Sequence, residues 1–243
     1  MSDNARRIAC WSGPRNISTA MMRSWDSRSD TTVSDEPLYA HYLVEHGHDH
    51  PGRDEILAHQ ENDAQRVVDY LTGPVPGGAA VWYQKHMAHH LIPDVPRPWL
   101  DLVEHAFLIR DPKDMLTSLM QIIPNPTLPE TGLPQQVEIF ERTLRRTGRT
   151  PPVLDARDVL DAPRESLEKF CAALDLPFEE SMLSWQPGRR ETDGIWAKHW
   201  YGAVEKSTSF MPYSSKNIDV PENLLPVLEG AVELYDQLAS HKL

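Results

Sequence analysis

The sequence is poor in cysteine, in long apolar runs and in positive charge, and each shortage excludes a class of protein. Cys10 and Cys171 are the two cysteines of 243 residues, too few for a disulfide framework, so we expect reduced thiols in a cytoplasmic protein. No apolar run approaches a membrane span, and residues 1–11 do not have the pattern of a signal peptide. The formal net charge of −12 argues against general binding to nucleic acids or to anionic membranes.

What is present indicates an ordinary globular protein. Hydrophobic residues make up 40% and charged residues 25% of the chain, a balance that excludes disordered and fibrous proteins. The 21 prolines fall between the predicted elements and form no linker. We therefore expect one domain spanning residues 1–243.

Short apolar runs alternate with segments of helical periodicity. The runs predict strands at 7–11, 31–34, 79–83, 105–109 and 152–154. The periodic segments predict helices at 17–28, 54–71, 137–146, 165–174 and 223–240, with a further helix beginning at Pro112. This alternation predicts a three-layer α/β/α fold with a mainly parallel central sheet, like that of the P-loop nucleotide hydrolases.

The loop after the first strand is typical of an anion site. A strand, the segment Ser12 to Thr19 and then a helix would present backbone N–H groups and the positive end of a helix dipole to a phosphate. The nucleoside-triphosphate loop requires G-x-x-x-x-G-K-[ST]. Ser18 stands at the second glycine position and Thr19 at the lysine position. The missing lysine disfavours ATP or GTP, and Arg15 supplies the cation of this loop.

A second candidate site follows the fourth predicted strand. Arg110-Asp111-Pro112-Lys113-Asp114 begins a helix, with Asp111 suited to cap it and Pro112 to open it. Ser118 lies about two helical turns further on. An arginine and a hydroxyl at the carboxyl end of a parallel strand are suitable donors for a phosphate dianion.

Together these motifs resemble the sulfotransferases that use 3′-phosphoadenosine 5′-phosphosulfate (PAPS). The family's first loop, P-[KR]-S-G-[ST]-T, is similar to residues 14–19, with Asn16 and Ile17 in place of Ser and Gly. Its second motif, R-[ND]-P-K-D followed by Ser, is matched at 110–118. A loop of type R-K-G-x-x-G-x-W is similar to residues 189–196, with Glu191 in place of Gly. The resemblance covers roughly residues 6–210.

The resemblance implies transfer of a sulfuryl group from PAPS to a hydroxyl or amine of a small-molecule acceptor. It implies that Arg15 stabilises the charge of the leaving phosphate, and this chemistry requires no metal. The residues expected to bind the donor are Gly13, Pro14, Arg15, Asn16, Ile17, Ser18, Thr19, Arg110, Ser118, Arg189, Arg190 and Gly194.

The acceptor also needs a base, for which the sequence offers three candidates. Glu36, with Asp35 as a weaker candidate, follows the second strand close to the first loop. His86 is the alternative, because it and Lys85 directly follow the third predicted strand. We expect Glu36 to be the base, since similar enzymes have an acidic base in this region.

The histidine groups raise the question of a metal. His46, His48 and His50 lie in one loop, whereas His86, His89 and His90 have a spacing that could place them on one helical face. Neither group has a neighbouring cysteine or an H-E-x-x-H arrangement, so we expect no metal at either.

Two other functions remain open from the sequence. One is a small-molecule kinase of P-loop type, and the other is a non-catalytic nucleotide-binding protein. A homodimer is possible, with the C-terminal helix and residues 124–134 as plausible contact surfaces.

Overall fold

The centre of the fold is a parallel sheet whose strands have the order β2-β3-β1-β4-β5. The computed structural model describes residues 5–47, 50–214 and 218–243. Within these residues the strands are β1 (Arg6–Ser12), β2 (Thr31–Asp35), β3 (Val81–Met87), β4 (Glu104–Ile109) and β5 (Val153–Asp155). All four neighbouring pairs are parallel.

Alternating side chains divide the sheet between two apolar cores. In β1, Ala9 and Trp11 belong to one core and Ile8 and Cys10 to the other, as the two-residue period of a strand requires. Helices cover both faces, so the predicted three-layer α/β/α fold is confirmed. Cys10 and Cys171 are free and buried.

The helices of the described residues follow the strands in sequence. They are α1 (Ser18–Asp26), α2 (Tyr39–His46), α3 (Arg53–His59), α4 (Ala64–Thr72), α5 (Pro112–Leu119), α6 (Leu133–Thr147), α7 (Ala156–Asp161), α8 (Pro163–Ala173), α9 (Ala197–Trp200) and α10 (Leu225–Ala239). None of these described helices combines the length and the apolar character needed to cross a membrane.

The helix predicted over 54–71 is wrong as a single element. The chain forms α3 and α4 instead, separated by residues 60–63. The Asp63 side chain accepts a hydrogen bond from Arg66 N at 2.9 Å, which caps the start of α4. Gln60 leaves the helical path, because its side chain bonds Glu36 O and Ala40 N, both at 2.9 Å.

The carboxyl ends of four strands bring the candidate residues to one edge of the sheet. Residues 13–19 follow β1, Glu36 follows β2, Lys85 lies near the end of β3, and Arg110 follows β4. Open parallel sheets bind ligands at this edge. The fold therefore collects the sequence motifs where a ligand is expected.

Candidate functional site

A cavity of about 450 Å³ opens at the carboxyl edge of the sheet. Its lining includes most of the predicted first loop and both donors of the second motif. The polar and aromatic lining residues include Arg15, Ser18, Thr19, Glu36, Tyr39, His50, Lys85, His89, His90, Arg110, Ser118, Trp200 and Tyr201. This volume lies in the range of small-molecule sites.

The first loop leads into α1 and leaves its N-terminus without a side-chain cap. Ile17 occupies the cap position and provides no side-chain hydrogen bond. The first-turn N–H groups of a helix are unpaired within the helix and carry a partial positive charge. Residues 14–20 line the cavity, so the start of α1 contributes to a site suited to an anion.

Arg15 has a backbone φ of 56°, which is uncommon for a residue other than glycine. Asn16 helps to fix the loop by bonding across to β4, with its Nδ2 donating to Leu108 O at 2.9 Å. Its Oδ1 accepts from Ile17 N at 2.7 Å. Asn16, which replaces the family's serine, therefore supplies one bond that holds the loop against the sheet and one within the loop itself.

Gly13 supports the loop but does not line the cavity. A Cβ at this position would lie 2.5 Å from the carbonyl oxygen of Thr131. A side chain here would displace either the loop or the segment that precedes α6. The structure thus places Gly13 at a close backbone approach, away from the expected contact with the donor.

Arg15, Arg110 and Ser118 lie in direct contact at the cavity. Arg15 Nε donates to Ser118 Oγ at 3.0 Å, and Arg110 Nη1 donates to the Arg15 carbonyl oxygen. Burial and the neighbouring Arg110 charge lower the pKa of Arg15. Two arginines that line one cavity form a site that anionic groups would stabilise.

A buried charged group stands at the ends of β2 and β3. Lys85 Nζ donates to Asp35 Oδ1 at 2.8 Å, to Glu36 Oε1 at 2.5 Å and to Tyr201 Oη at 2.9 Å. These contacts use all three protons of the ammonium group. Burial would lower the pKa of Lys85, but the carboxylates of Asp35 and Glu36 outweigh burial and raise it well above its ordinary value.

Glu36 and Asp35 differ in their access to the cavity. Glu36 lines it and its side chain is 11% exposed, whereas the Asp35 side chain is 1% exposed. Both Asp35 oxygens lie within 2.8 Å of Tyr201 Oη, and Oδ2 also accepts from Gly194 N at 3.0 Å. Of the two candidate carboxylates, Glu36 is the one that lines the cavity.

The backbone at Glu36 is strained and firmly held. Its φ is 42°, a left-handed value that costs a non-glycine residue about 1–3 kcal/mol. Its N–H donates to Lys85 O at 2.9 Å, and its carbonyl accepts from Tyr39 N and from Gln60 Nε2. Burial raises the pKa of Glu36, Lys85 opposes the rise, and Asp35 adds to it.

The structure places His86 away from the cavity, contrary to its expected position as the alternative base. Adjacent residues of a strand point to opposite faces, so Lys85 faces the cavity while His86 enters the opposite core. Its ring stacks on Trp11 at 4.3 Å between centroids and is 1% exposed. Burial lowers the pKa of His86 to about 3.

The remaining histidines do not form the predicted helical face. His86 is in β3, and His89 and His90 belong to a 3₁₀ turn, Ala88–His90. His48 lies outside the described residues. Among the residues that are described, no group of three or more His, Cys, Asp or Glu side chains is arranged to hold a metal ion.

The third motif occupies a different position from the one expected. Arg189, Arg190 and Gly194 do not line the cavity. Arg190 N donates to Asp193 Oδ2 at 2.8 Å, and Asp193 also pairs with the buried Arg23 of α1 at 2.6 Å. The segment is thus tied to α1 and, through Gly194, to Asp35, while the downstream residues Trp200 to Pro212 supply the cavity wall.

Sequence reasoning did not find the full role of Lys85, Tyr201 and Gln60. Lys85 follows a predicted strand, but its pairing with two carboxylates depends on β2 lying beside β3. Tyr201 is 165 positions from Glu36. Tyr201 follows α9 and lies in no strand, so only the packing of its segment against the ends of β2 and β3 brings these distant residues together.

Comparisons with known proteins identify the family of this domain. The family model for the sulfotransferase domain matches residues 6–241. Branched-chain-amino-acid aminotransferase-like proteins 1 and 2 of Arabidopsis thaliana are 37% and 35% identical over 235 residues, which is 96% of this chain. The chain spans only 42% and 41% of those two relatives.

Solved structures show the same fold at low sequence identity. A sulfotransferase domain from the curacin biosynthetic pathway has a TM-score of 0.56 at 14% identity, covering 95% of this chain and 99% of that one. A sulfotransferase from Alicyclobacillus acidocaldarius has a TM-score of 0.56 at 12% identity, covering 98% and 97%. From the family match over nearly its whole length, this chain belongs to the sulfotransferase domain family, a family of transferase enzymes.

Proposed function

We propose that this protein transfers a sulfuryl group from PAPS to a hydroxyl or amine of a small-molecule acceptor. The observation that carries the proposal is the convergence of two separate cationic motifs on one cavity, where Arg15 Nε lies 3.0 Å from Ser118 Oγ. PAPS has two anionic ends, the 5′-phosphosulfate and the 3′-phosphate. Two motifs from different strands suit a donor with two such ends.

The first loop and α1 are assigned to the 5′-phosphosulfate. The uncapped N-terminus of α1 and the hydroxyls of Ser18 and Thr19 supply donors for phosphate oxygens. Arg110 and Ser118 are assigned to the 3′-phosphate, as the family resemblance implies. Gly13, Arg189, Arg190 and Gly194 lie outside the cavity lining, so their assigned contribution is to support the loop and the wall rather than to contact the donor.

Sulfuryl transfer depends mainly on positioning and on charge stabilisation. The acceptor must lie in line with the bond that breaks, and negative charge builds up on the oxygen of the leaving phosphate. Arg15 keeps its positive charge throughout, so it serves as an electrostatic clamp rather than as a proton donor. Glu36 accepts the proton of the acceptor as the new S–O or S–N bond forms.

A direct assay tests this function. Sulfur-labelled PAPS is supplied with a panel of alcohols, phenols and amines, and labelled product together with adenosine 3′,5′-bisphosphate is the expected outcome. Phosphoryl transfer from ATP–Mg²⁺ in place of sulfuryl transfer would contradict the proposal and favour a kinase. Binding of the nucleotide without any transfer would favour a non-catalytic binding protein.

Arg15→Ala tests the clamp within the same assay. Because the charge of Arg15 acts most strongly when the leaving oxygen becomes anionic, we expect kcat to fall much more than the affinity for PAPS. Arg145→Ala is the matched control, since Arg145 is exposed on α6 and pairs with Glu141. A rise in KM for PAPS with unchanged kcat would make Arg15 a binding residue only.

A further inference from the structure

The group around Lys85 contains more charge than a single base requires. Two carboxylates and a phenol surround one ammonium group, and three of the four side chains are buried. A lysine that served only to pair with Glu36 would not need Asp35. Burying an additional carboxylate is costly unless it is fully hydrogen-bonded, so its presence calls for an explanation.

The hydrogen bonds assign different tasks to the two carboxylates. The two oxygens of Asp35 accept hydrogen bonds from Lys85 Nζ, Tyr201 Oη and Gly194 N. Glu36 Oε1 accepts a hydrogen bond from Lys85 Nζ at 2.5 Å, and Tyr201 Oη lies 3.5 Å from the same oxygen. Among the described residues no hydrogen bond reaches Glu36 Oε2, which leaves that oxygen available to a ligand in the cavity.

We propose that Asp35, Lys85 and Tyr201 are positioning residues for Glu36: Asp35 neutralises Lys85, Lys85 fixes one oxygen of Glu36, and Tyr201 ties the group to the cavity wall. This inference rests on the proposed function, because it gives Glu36 the acceptor's proton. The proton moves from the acceptor to Glu36 Oε2 as the acceptor atom bonds to sulfur, and the sulfur–oxygen bond to the leaving phosphate breaks.

The charge balance explains why Asp35 belongs to the group. A free Lys85 ammonium beside Glu36 would stabilise the carboxylate and make it a weak base. With Asp35 cancelling that charge, Glu36 keeps a higher affinity for a proton. The direction agrees with burial, which raises the pKa of Glu36, and with the opposing influences of Lys85 and Asp35.

The other titratable groups near Glu36 come from several elements. Tyr39 of α2 lies close enough for its pKa to be raised by Glu36 as well as by burial. Burial and neighbouring basic groups lower the pKa of His90 well below its ordinary value, so it is neutral. The titratable and charged groups that line the same cavity as Glu36 are Arg15, Tyr39, His50, Lys85, His89, His90, Arg110 and Tyr201.

Tyr201 also connects the cavity wall to the group around Glu36 through hydrogen bonds. Its hydroxyl accepts from Trp196 Nε1 at 3.3 Å and from Lys85 Nζ. Trp196 packs edge-on against Tyr39 at 5.1 Å between ring centroids. A shift of residues 194–201 would therefore change the hydrogen bonds to Asp35 and Lys85, and through Lys85 it would move Glu36.

The first experiment measures the pH profile of kcat for the wild type and for Asp35→Asn. Removal of the Asp35 charge leaves Lys85 acting on Glu36 alone, so the acid limb should move to lower pH by about one pH unit. The plateau should fall, because the base becomes weaker. A structural role alone would lower the rate at every pH and leave the limb in place, which would overturn the proposal.

A second readout does not depend on transfer activity. The unfolding free energy is measured against pH for the wild type and for Glu36→Gln, and the difference between the two is taken. The same difference is then measured between Asp35→Asn and the double variant Asp35→Asn/Glu36→Gln. Because the pKa of Glu36 is raised in the folded state, its ionisation lowers the unfolding free energy. This loss grows as pH rises above the ordinary pKa of Glu36 and becomes constant above the folded-state pKa. With Asp35→Asn the loss should become constant at lower pH and be smaller. Identical curves in the two backgrounds would overturn the inference, whatever the transfer assay shows.

Tyr201→Phe provides a test that leaves every charge in place. It should lower kcat about tenfold through loss of geometry, with affinity for adenosine 3′,5′-bisphosphate unchanged. The matched control is Tyr235→Phe, which removes a comparable bond from Tyr235 Oη to Asp155 Oδ2, 2.5 Å long and outside the cavity. Equal kinetics for the two variants would show that Tyr201 does not position the base.

Discussion

At the scale of single residues, the site depends on side chains that the sheet order brings together. Arg15 and Ser118 are 103 positions apart and in hydrogen-bond contact, while Lys85 and Glu36 are 49 positions apart. In each pair one partner comes from a loop at the carboxyl edge of the sheet. The chemistry therefore depends on how adjacent strands end, since a shift of one residue would turn a side chain to the opposite face.

The residue that tests the proposed base is Glu36. Glu36→Gln keeps the shape of the side chain but removes the proton acceptor, so kcat should fall about 10²–10⁴-fold. Affinity for adenosine 3′,5′-bisphosphate should hardly change, because Glu36 is not assigned to the nucleotide. Steady-state kinetics and calorimetry measure the two quantities.

His86→Gln is the comparison variant for Glu36. His86 stacks on Trp11 in the core, so this change should lower stability while leaving the folded enzyme active. Near-normal turnover in Glu36→Gln together with abolished turnover in folded His86→Gln would contradict the assignment.

At the scale of elements, the loop between β1 and α1 is constrained by its close contact with the segment before α6. Gly13 lies where a Cβ would be 2.5 Å from Thr131 O. The neighbouring Gly132, with a φ of 74°, begins α6 from a left-handed conformation that glycine adopts at little cost. The loop after β1 and the start of α6 therefore contact each other at Gly13 and Gly132.

Gly13→Ala should disturb this contact. The added methyl group would force the loop or the segment at Thr131 to move, at a cost of about 1–3 kcal/mol in unfolding free energy. Affinity for adenosine 3′,5′-bisphosphate should fall as well, because the loop moves with it. The control is Gly202→Ala, whose Cβ would meet open space. Equal stability and affinity in both variants would contradict the role given to Gly13.

The same elements show how far the sequence could predict the fold. The strands and the motifs at 14–19 and 110–118 could be predicted, because apolar runs and loop residues are local signals. The break between α3 and α4 could not be predicted from the apolar spacing, which continues across Asp63, although Asp63 was itself a cap signal. The location of residues 189–196 depended on long-range contacts with Asp35 and Arg23, which no local pattern contains.

At the scale of the whole molecule, buried neutral histidines link folding to pH. Burial lowers the pKa of His86 to about 3 and that of His105 to about 4. In the unfolded chain both would take up a proton near pH 6.5. The unfolded state therefore binds more protons between the folded and unfolded pKa values, so stability is lost as pH falls below about 6.5.

Denaturant unfolding at pH 7, 6 and 5 tests this linkage. Between its folded and unfolded pKa values, each such histidine should lower the unfolding free energy by at most about 1.4 kcal/mol for each unit by which pH falls. His86→Gln should reduce the slope. A slope that is unchanged in His86→Gln would show that His86 does not contribute.

Calorimetry of nucleotide binding tests whether the cavity binds a nucleotide that carries both a 3′- and a 5′-phosphate. The wild type should bind adenosine 3′,5′-bisphosphate more tightly than AMP or ATP–Mg²⁺. A hydrogen bond to a charged group is worth about 1.5–3 kcal/mol, so Arg110→Ala should weaken bisphosphate binding at least tenfold. The affinity for AMP should fall less in that variant, because Arg110 reaches the first loop only through the Arg15 carbonyl. Equal affinity of the wild type for the bisphosphate and AMP, or a preference for ATP–Mg²⁺, would show that Arg110 and Ser118 do not recognise a 3′-phosphate.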